Sequence, residues 1–395
     1  MQSKVFMIVY LLKGEVMNNI KIGSFVQQST GFKAFIPDEF PPIVGLSLPN
    51  TIISKHTEAI RLLGKLDGIT ELLPDKDWFL VMFVKKDASS SSQIEGTNAT
   101  MMDVIEKENV EPSSSLPEDV DDIIHYIDAL NYGLVRAKDF PLSLRFIREL
   151  HSKLMLKARS THNSYPGEFR TSQNWIGGTR PDNATYVPPP VEDMNRALND
   201  LEKFMHADDD YLPLVKAGLL HAQFETIHPF NDGNGRTGRM LITMFLWYKK
   251  LLEMPILYLS AYFKQHRDVY YQKLNNYHNG DIVGWLDFFL DGIIETANSA
   301  IKTCAIITKL RERDTDKVKV LSKAVSQSTM NVLENLYKMP VVGISDIMKW
   351  TGTTKPSGYK MIERLVKMGI LVKLGDNTYA QKWYYKDYID LFYKE

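Results

Sequence analysis

Apolar side chains recur at three- and four-residue intervals through most of this chain, the spacing of helices that bury one face. His56 to Leu66 aligns Ile60, Leu63 and Leu66, and Asp67-Gly68 then predicts a stop. Ser143 to Lys157 places Leu144, Ile147, Leu150, Leu154 and Met155 on one broad stripe, and Met194 to Met205 and Leu212 to Ile227 repeat the pattern. Between these helices the pattern changes. Pro166 to Pro190 is rich in glycine and proline, and Asn174-Trp175-Ile176 and Thr185-Tyr186-Val187 predict a short hairpin around Gly178 to Asn183. Nearer the N-terminus, Ile36-Pro37 and Phe40-Pro41-Pro42 read as extended backbone. The charge run Lys309 to Lys319 predicts a linker helix over 301–320. Beyond it Val332 to Tyr337, Ser345 to Trp350 and Lys355 to Met368 predict three helices, and Ile370-Leu371-Val372 and Thr378-Tyr379-Ala380 a hairpin about Gly375-Asp376-Asn377. The chain therefore reads as mainly α, divided into an N-terminal region (1–75), a helical unit (76–300), the linker helix and a compact C-terminal unit (321–395).

Length agrees with that division, since 395 residues exceed one ordinary core. A formal net charge of -1 favours no class of partner. The single cysteine, Cys304, excludes a disulfide framework or thiolate cluster within one chain and fits a reducing cytoplasm. Lys4 followed by the apolar run Val5 to Leu12 is too short to span a bilayer and has no Ala-x-Ala site, so it reads as a buried strand, with Met17 as an alternative start. The densest apolar run, Met240 to Trp247, is interrupted by Thr243 and closed by Lys249 and Lys250, so no membrane association is expected.

Chemistry concentrates in His228-Pro229-Phe230-Asn231-Asp232-Gly233-Asn234-Gly235-Arg236-Thr237-Gly238-Arg239, between two apolar helical patterns. Gly233 and Gly235 let backbone N–H groups converge on an anion at a helix N-terminus. Arg236 and Arg239, three apart, suit a polyphosphate, Asp232 offers a hard oxygen to a phosphate-bound Mg²⁺, and His228 is a base that works near neutral pH. On residue chemistry alone this is either a polyphosphate site with a base or a polar helix junction in which His228 caps the preceding helix.

The run matches the His-Pro-Phe-x-Asp-Gly-Asn-Gly-Arg-x-x-Arg signature at every position, and by it the chain resembles the Fic (Fic/Doc) family of protein adenylyltransferases. The resemblance implies the Fic helical fold with a hairpin flap over 166–190. It also implies AMP transfer from ATP to a Tyr, Thr or Ser hydroxyl of a target protein or of the chain itself. His228 would take the hydroxyl proton and Asp232 would hold Mg²⁺. Gly233, Asn234, Gly235, Arg236, Thr237, Gly238 and Arg239 would bind the nucleotide phosphates, with Arg236 on the β side and Arg239 on the γ side. Tyr270 and Tyr271 fall where similar proteins pack the adenine, whereas His278 stands where some relatives carry asparagine. Upstream, Ser91-Ser92-Gln93-Ile94-Glu95-Gly96 resembles the family's Ser/Thr-x-x-x-Glu-Gly/Asn inhibitory motif. Ser91, Glu95 and Gly96 would then form a self-restraining element in which Glu95 pairs with Arg239. A homodimer is also common among such proteins. The same site run backwards, with Glu95 orienting water to remove AMP from a modified protein, is the alternative enzyme reading.

Helix, turn, helix and hairpin at the C-terminus is winged-helix order, and Lys355, Lys360, Arg364 and Lys367 lie on or near its second helix. A DNA-binding regulator is thus the alternative of a different class. Ser357, Gly358 and Tyr359 offer few groups that read bases, so a protein contact is the expected role and nucleic acid is not favoured.

Overall fold

The computed structural model describes residues 21–41, 48–71, 73, 76–109, 117, 119–156, 165–375 and 381–393. The apolar run at 5–12, Met17 and the strand proposed at 378–380 lie outside them. Among the described residues an antiparallel pair, β1 (Gly23–Gln27) and β2 (Lys33–Pro37), comes first, in the register Gly23↔Pro37. Helices α1 (Asn50–Glu71), α2 (Lys76–Ile94), α3 (Met101–Asn109), α4 (Val120–Arg136), α5 (Leu144–Leu154), α6 (Val191–His206), α7 (Pro213–Ile227), α8 (Asn234–Tyr248), α9 (Ser260–Gln265), α10 (Arg267–His278) and α11 (Ile282–Lys319) follow. The remainder is α12 (Lys323–Lys338), β3 (Val341–Gly343), α13 (Ile344–Thr351), α14 (Lys355–Lys367), β4 (Val372–Leu374), β5 (Lys382–Tyr384) and α15 (Lys386–Tyr393). The chain is mainly α, as its periodicity predicts.

Helix α7 is the centre. Its residues are buried almost all round, the signature of a helix inside a core rather than on its surface. Gly218 admits α11 at close range: a Cβ there would lie 2.9 Å from Phe289, and the Trp285 indole donates to the Gly218 carbonyl at 2.8 Å. Helix α8 packs against α7, and the loop joining them carries the His228 segment. Ser143 starts α5 by accepting from the Phe146 amide at 3.2 Å, which brings the apolar stripe of Ile147, Leu150 and Leu154 against α4.

Three expectations change. Helix α1 does not stop at Asp67-Gly68 but runs to Glu71. Buried Thr70 donates to the Asp67 carbonyl at 2.8 Å, and the Asp67 carboxylate accepts from the Glu253 amide at 3.1 Å. Tertiary burial here outweighs the cost of an interior glycine, about 1 kcal/mol. The segment 301–320 is no separate helix: its residues to Lys319 are the second half of α11, 38 residues long, because Ala297, Ile301, Cys304 and Ile307 extend the buried stripe without a break. The predicted flap hairpin is reduced to one bridge, Ile176↔Tyr186, since Gly177 and Gly178 both take positive φ and Pro181–Asn183 forms a 3₁₀ turn.

After α11 come four helices and a sheet of order β3-β5-β4, antiparallel throughout. Buried Asp314 of α11 accepts from the Tyr385 hydroxyl at 2.6 Å and pairs with Arg313 and Lys317, tying this unit to the long helix. It also reaches α2, where Phe392 packs edge-on to Phe83 with ring centroids 5.4 Å apart. No helix among the described residues is long and apolar enough to cross a membrane.

Candidate active site

Helix α7 ends at His228, whose backbone is left-handed (φ 47, ψ 61), a conformation that side chains bearing a Cβ seldom adopt. His228 is thus a helix cap as well as the candidate base. The loop behind it is held by its own residues. The Asn234 side chain accepts from the Phe230 amide and donates to the Phe230 carbonyl, both at 2.8 Å. Gly233, with φ 76, caps α8. His151 of α5 clamps the other side: its Nδ1 accepts from the Gly167 amide at 2.9 Å, so its Nε2 carries the proton and donates to the Asp232 carbonyl at 2.9 Å. The ring stacks on Phe230 at 3.7 Å.

His228 lines an open cleft of about 490 Å³ with Glu95, Trp175, Ile176, Tyr186, Glu225, Gly235, Arg239, Tyr271 and His278. Burial first, and the Arg170 guanidinium second, push its pKa down to about 4, against smaller opposite pulls from Glu95, the Glu225 backbone and Asp232. Near neutral pH the ring is therefore uncharged and able to accept a proton. Glu225 lies one turn earlier on α7, with a carboxylate oxygen 3.8 Å from His228 Nδ1. Burial pushes Glu225 up to about 7 although Arg239 pulls the other way.

Arg239 is buried and already engaged. Its Nε donates to Ser91 Oγ at 2.9 Å, and its Nη2 donates to the Ser91 carbonyl at 3.0 Å and to Glu95 Oε1 at 2.7 Å. Burial opposes its charge, but Glu95, Tyr270 and Glu225 together raise its pKa above the ordinary arginine value. Ser91 lies in the last turn of α2, and Gly96, just past the helix end, takes φ 95. Glu95 also hangs over the start of α8: a Cβ on Gly235 would lie 2.3 Å from its Oε1 and 2.8 Å from Arg239 Nη1. Gly235→Ala is accordingly expected to cost roughly 1–3 kcal/mol of stability while Glu95 is present, and much less in a Glu95→Gly background. Thermal melts of the four proteins of that cycle check it; equal costs in both backgrounds would place the crowding elsewhere.

The other predicted residues separate. Arg236 is turned toward Met155 Sδ, 3.6 Å away, and Asp232, 4.0 Å away, so the two arginines do not converge on one point in this state. Asp232 is 44% exposed at the loop, and its Oδ1 accepts from the Gly233 amide at 2.6 Å. Thr237 is fully buried, and Gly238 packs on α7, where a Cβ would meet Glu225 at 2.5 Å; neither lines the cleft. Tyr270 reaches the cleft only as part of its wall, since it is buried with its hydroxyl 2.8 Å from His221 Nε2 and its ring stacked on Phe263. Tyr271, 36% exposed, is the ring with a free surface. His278 stacks on Tyr186 at 4.1 Å and lines the cleft as well.

Residue spacing left four further groups unassigned: Glu225, His151, Arg170 and Asn174. Glu225 was discoverable, being three residues before His228 and so on the same helix face. Asn174 donates to the His228 and Phe230 carbonyls at 3.2 and 2.9 Å, a backbone partnership that leaves no trace in spacing.

Buried imidazoles make the fold acid-sensitive. His151 and His228 are pushed down to about 4 and His221 and His278 to about 3, burial leading in each case. Below the ordinary histidine value the unfolded chain binds these protons and the folded chain does not, so stability falls as pH drops from 6.5 toward 4. Buried Glu225 and Asp87, both raised, take protons in the folded state and offset part of this. The melting temperature is expected to fall steadily from pH 6.5 to 5; a flat profile would show that the imidazoles titrate freely in the folded protein.

A family profile described as Fic/DOC family matches residues 141–246, and its N-terminal counterpart, Fic/DOC family N-terminal, matches residues 53–135. The chain is 32% identical over 164 residues to the protein adenylyltransferase Fic of Aedes aegypti, a match covering 41% of this chain and 30% of that protein. It is 27% identical over 205 residues to the protein of the same name from Nematostella vectensis, covering 50% of this chain and 44% of that one. The matches thus span less than half the length of these relatives. In three dimensions it resembles a Fic family protein from Desulfovibrio desulfuricans, with 16% identity, a TM-score of 0.55 and coverage of 87% of this chain and 98% of the other. Fic-1 from C. elegans superposes with a TM-score of 0.50 at 18% identity, over 66% of this chain and 74% of that one. At these identities the superpositions speak for the fold alone.

Proposed function

The chain belongs to the Fic/DOC family, and from that premise we propose that it is a protein adenylyltransferase, moving AMP from ATP to a hydroxyl of a protein target or of itself. The observation that carries this reading is the meeting of three groups in one cleft: an uncharged His228 imidazole, the N-terminus of α8, and Arg239 held by Glu95. The phosphates of ATP take the α8 N-terminus, where the amides of Gly233, Asn234 and Gly235 and the guanidinium groups of Arg236 and Arg239 balance their charge. His228 accepts the proton as the target oxygen forms its bond to the α-phosphorus and pyrophosphate leaves with the electrons of the broken bond.

Asp232, half-exposed at the loop, fits a phosphate-bound Mg²⁺. Among the described residues no group of three or more His, Cys, Asp or Glu gathers to hold a metal, so an ion at Asp232 would take its remaining ligands from phosphate and water. It would supply charge neutralisation on the phosphates.

The resting state of this reading is closed. Glu95 takes the place on Arg239 that the terminal phosphate needs, so the two compete for one guanidinium. Target segments are expected along the 174–187 flap, where the bridge Ile176↔Tyr186 is the one strand-like pairing within the segment and the Val187 carbonyl is taken by the Phe35 amide. Mass spectrometry of the purified protein after ATP and Mg²⁺ tests the proposal. An adduct of AMP mass that depends on His228 supports it, and its absence from every variant and every offered target would sink it.

A further inference from the structure

Arg170 carries a guanidinium into the interior, 2% exposed, at the first turn of the flap segment. Its partners are carbonyls. Nε donates to His228 O at 3.0 Å, Nη1 to Ser172 O at 3.1 Å, and Nη2 to Pro189 O at 2.5 Å and more distantly to Ile227 O at 3.4 Å. Its own amide donates to Pro229 O at 2.9 Å. One side chain thus reaches three places at once: the end of α7 with His228, the entry of the flap at Ser172 and its exit at Pro189.

A buried charge satisfied by neutral oxygens is costly and persists where both its direction and its charge are used. The direction has a use here. His228 is left-handed, and in that conformation its carbonyl faces Arg170 Nε and Asn174 Nδ2. Relaxing His228 to an ordinary backbone conformation would swing the carbonyl away and strand a buried guanidinium, so the fork over-determines the strained turn. The turn in turn aims the imidazole into the cleft. The charge also has a use, because a cation beside the ring favours its unprotonated, proton-accepting form.

We propose that Arg170 is the positioning residue that sets the His228 base and the acceptor-binding flap in register, through its simultaneous hold on the His228, Ser172 and Pro189 carbonyls. This rests on the reading of His228 as the base. A lysine cannot replace it: a single ammonium does not span three carbonyls on separate segments. Glutamine keeps some of the hydrogen bonding and loses the charge. The two substitutions therefore separate geometry from electrostatics.

The charged and titratable groups facing His228 are Arg170, Glu95 from the turn after α2, Glu225 from α7 and Asp232 from the loop. The test has two arms in the full chain. Histidine-ring NMR, without ATP or target, follows His228 through its titration, with a His228→Asn sample to assign the resonance. Modification kinetics, in the Glu95→Gly background, yield kcat, KM for ATP and the acid limb of the pH profile. Arg170→Gln is expected to raise the pH at which His228 takes its proton and to move the acid limb with it. Arg170→Lys is expected to leave that titration near wild type. Both are expected to lower kcat by about tenfold or more, as misplacement of a reacting group does, with KM for ATP changed less than about threefold because Arg239 and the α8 amides are untouched.

Unchanged titration in the folded Gln variant, or wild-type kcat in the Lys variant, would overturn the proposal. If Arg170→Gln does not fold, the Lys variant decides alone, through kcat. A titration shift in a protein that never forms an AMP adduct would retain the structural role of Arg170 while removing the transferase reading.

Discussion

Replacing Glu95 by glycine is expected to raise formation of the AMP adduct at least about tenfold, the equivalent of about 1.4 kcal/mol on the closed state. The argument begins at Arg239, whose side chain is 2% exposed and whose Nη2 lies 2.7 Å from Glu95 Oε1. A guanidinium so buried needs compensation for its lost hydration, and the carboxylate supplies it. A nucleotide must displace that carboxylate before its terminal phosphate can pair there, so the closed pair subtracts directly from productive binding. In the glycine variant Arg239 keeps its bonds to the Ser91 hydroxyl and carbonyl, so the helix end remains in place while the competing charge is gone. Labelled-ATP incorporation over time measures the effect. Equal labelling of the two proteins would mean that the ion pair does not limit nucleotide seating.

The second large effect runs the other way. His228→Ala is expected to lower modification by about 10²–10⁴-fold, the usual contribution of a general base. The loss should persist in the Glu95→Gly background, because opening the phosphate site does nothing for the acceptor proton. Alanine must also adopt the left-handed turn at φ 47, so a small fall in melting temperature is expected beside the loss of rate. His228→Asn, better suited to that backbone, should restore stability but not turnover. Nucleotide affinity by calorimetry should change little in either variant. A large loss of affinity would make His228 a binding residue instead.

How far these expectations were legible in the sequence differs by residue. The 228–239 segment was readable because its groups are consecutive and local geometry carries them: a capped helix end, a tight loop and a new helix start. The contact between Glu95 and Arg239 joins residues 144 apart. No periodicity predicts such a partner, and only the resemblance of the Ser91–Gly96 motif pointed to it. Helix α1 passes Asp67-Gly68 because burial of Thr70 was decided by distant chain, and the run at 309–319 continues α11 because charges on the outer face do not interrupt the inner one. Tyr270 looked like a base-stacking ring from its position, yet its hydroxyl is committed to His221. Arg170 was visible as part of a flap motif, but its partners are backbone carbonyls that every residue possesses, so nothing in the letters marks its role.

Gly235 has a consequence for how variants of this chain will be judged. Its missing Cβ leaves room for the Glu95 carboxylate, and on the proposed reading the same vacancy must admit the nucleotide phosphates once that carboxylate leaves, so it would be claimed by two mutually exclusive tenants. Any side chain placed there is screened twice, once for whether the enzyme can be silent and once for whether it can act. A substitution at Gly235 that abolishes turnover can equally be one that abolishes restraint, and only the Glu95→Gly background tells which of the two was lost.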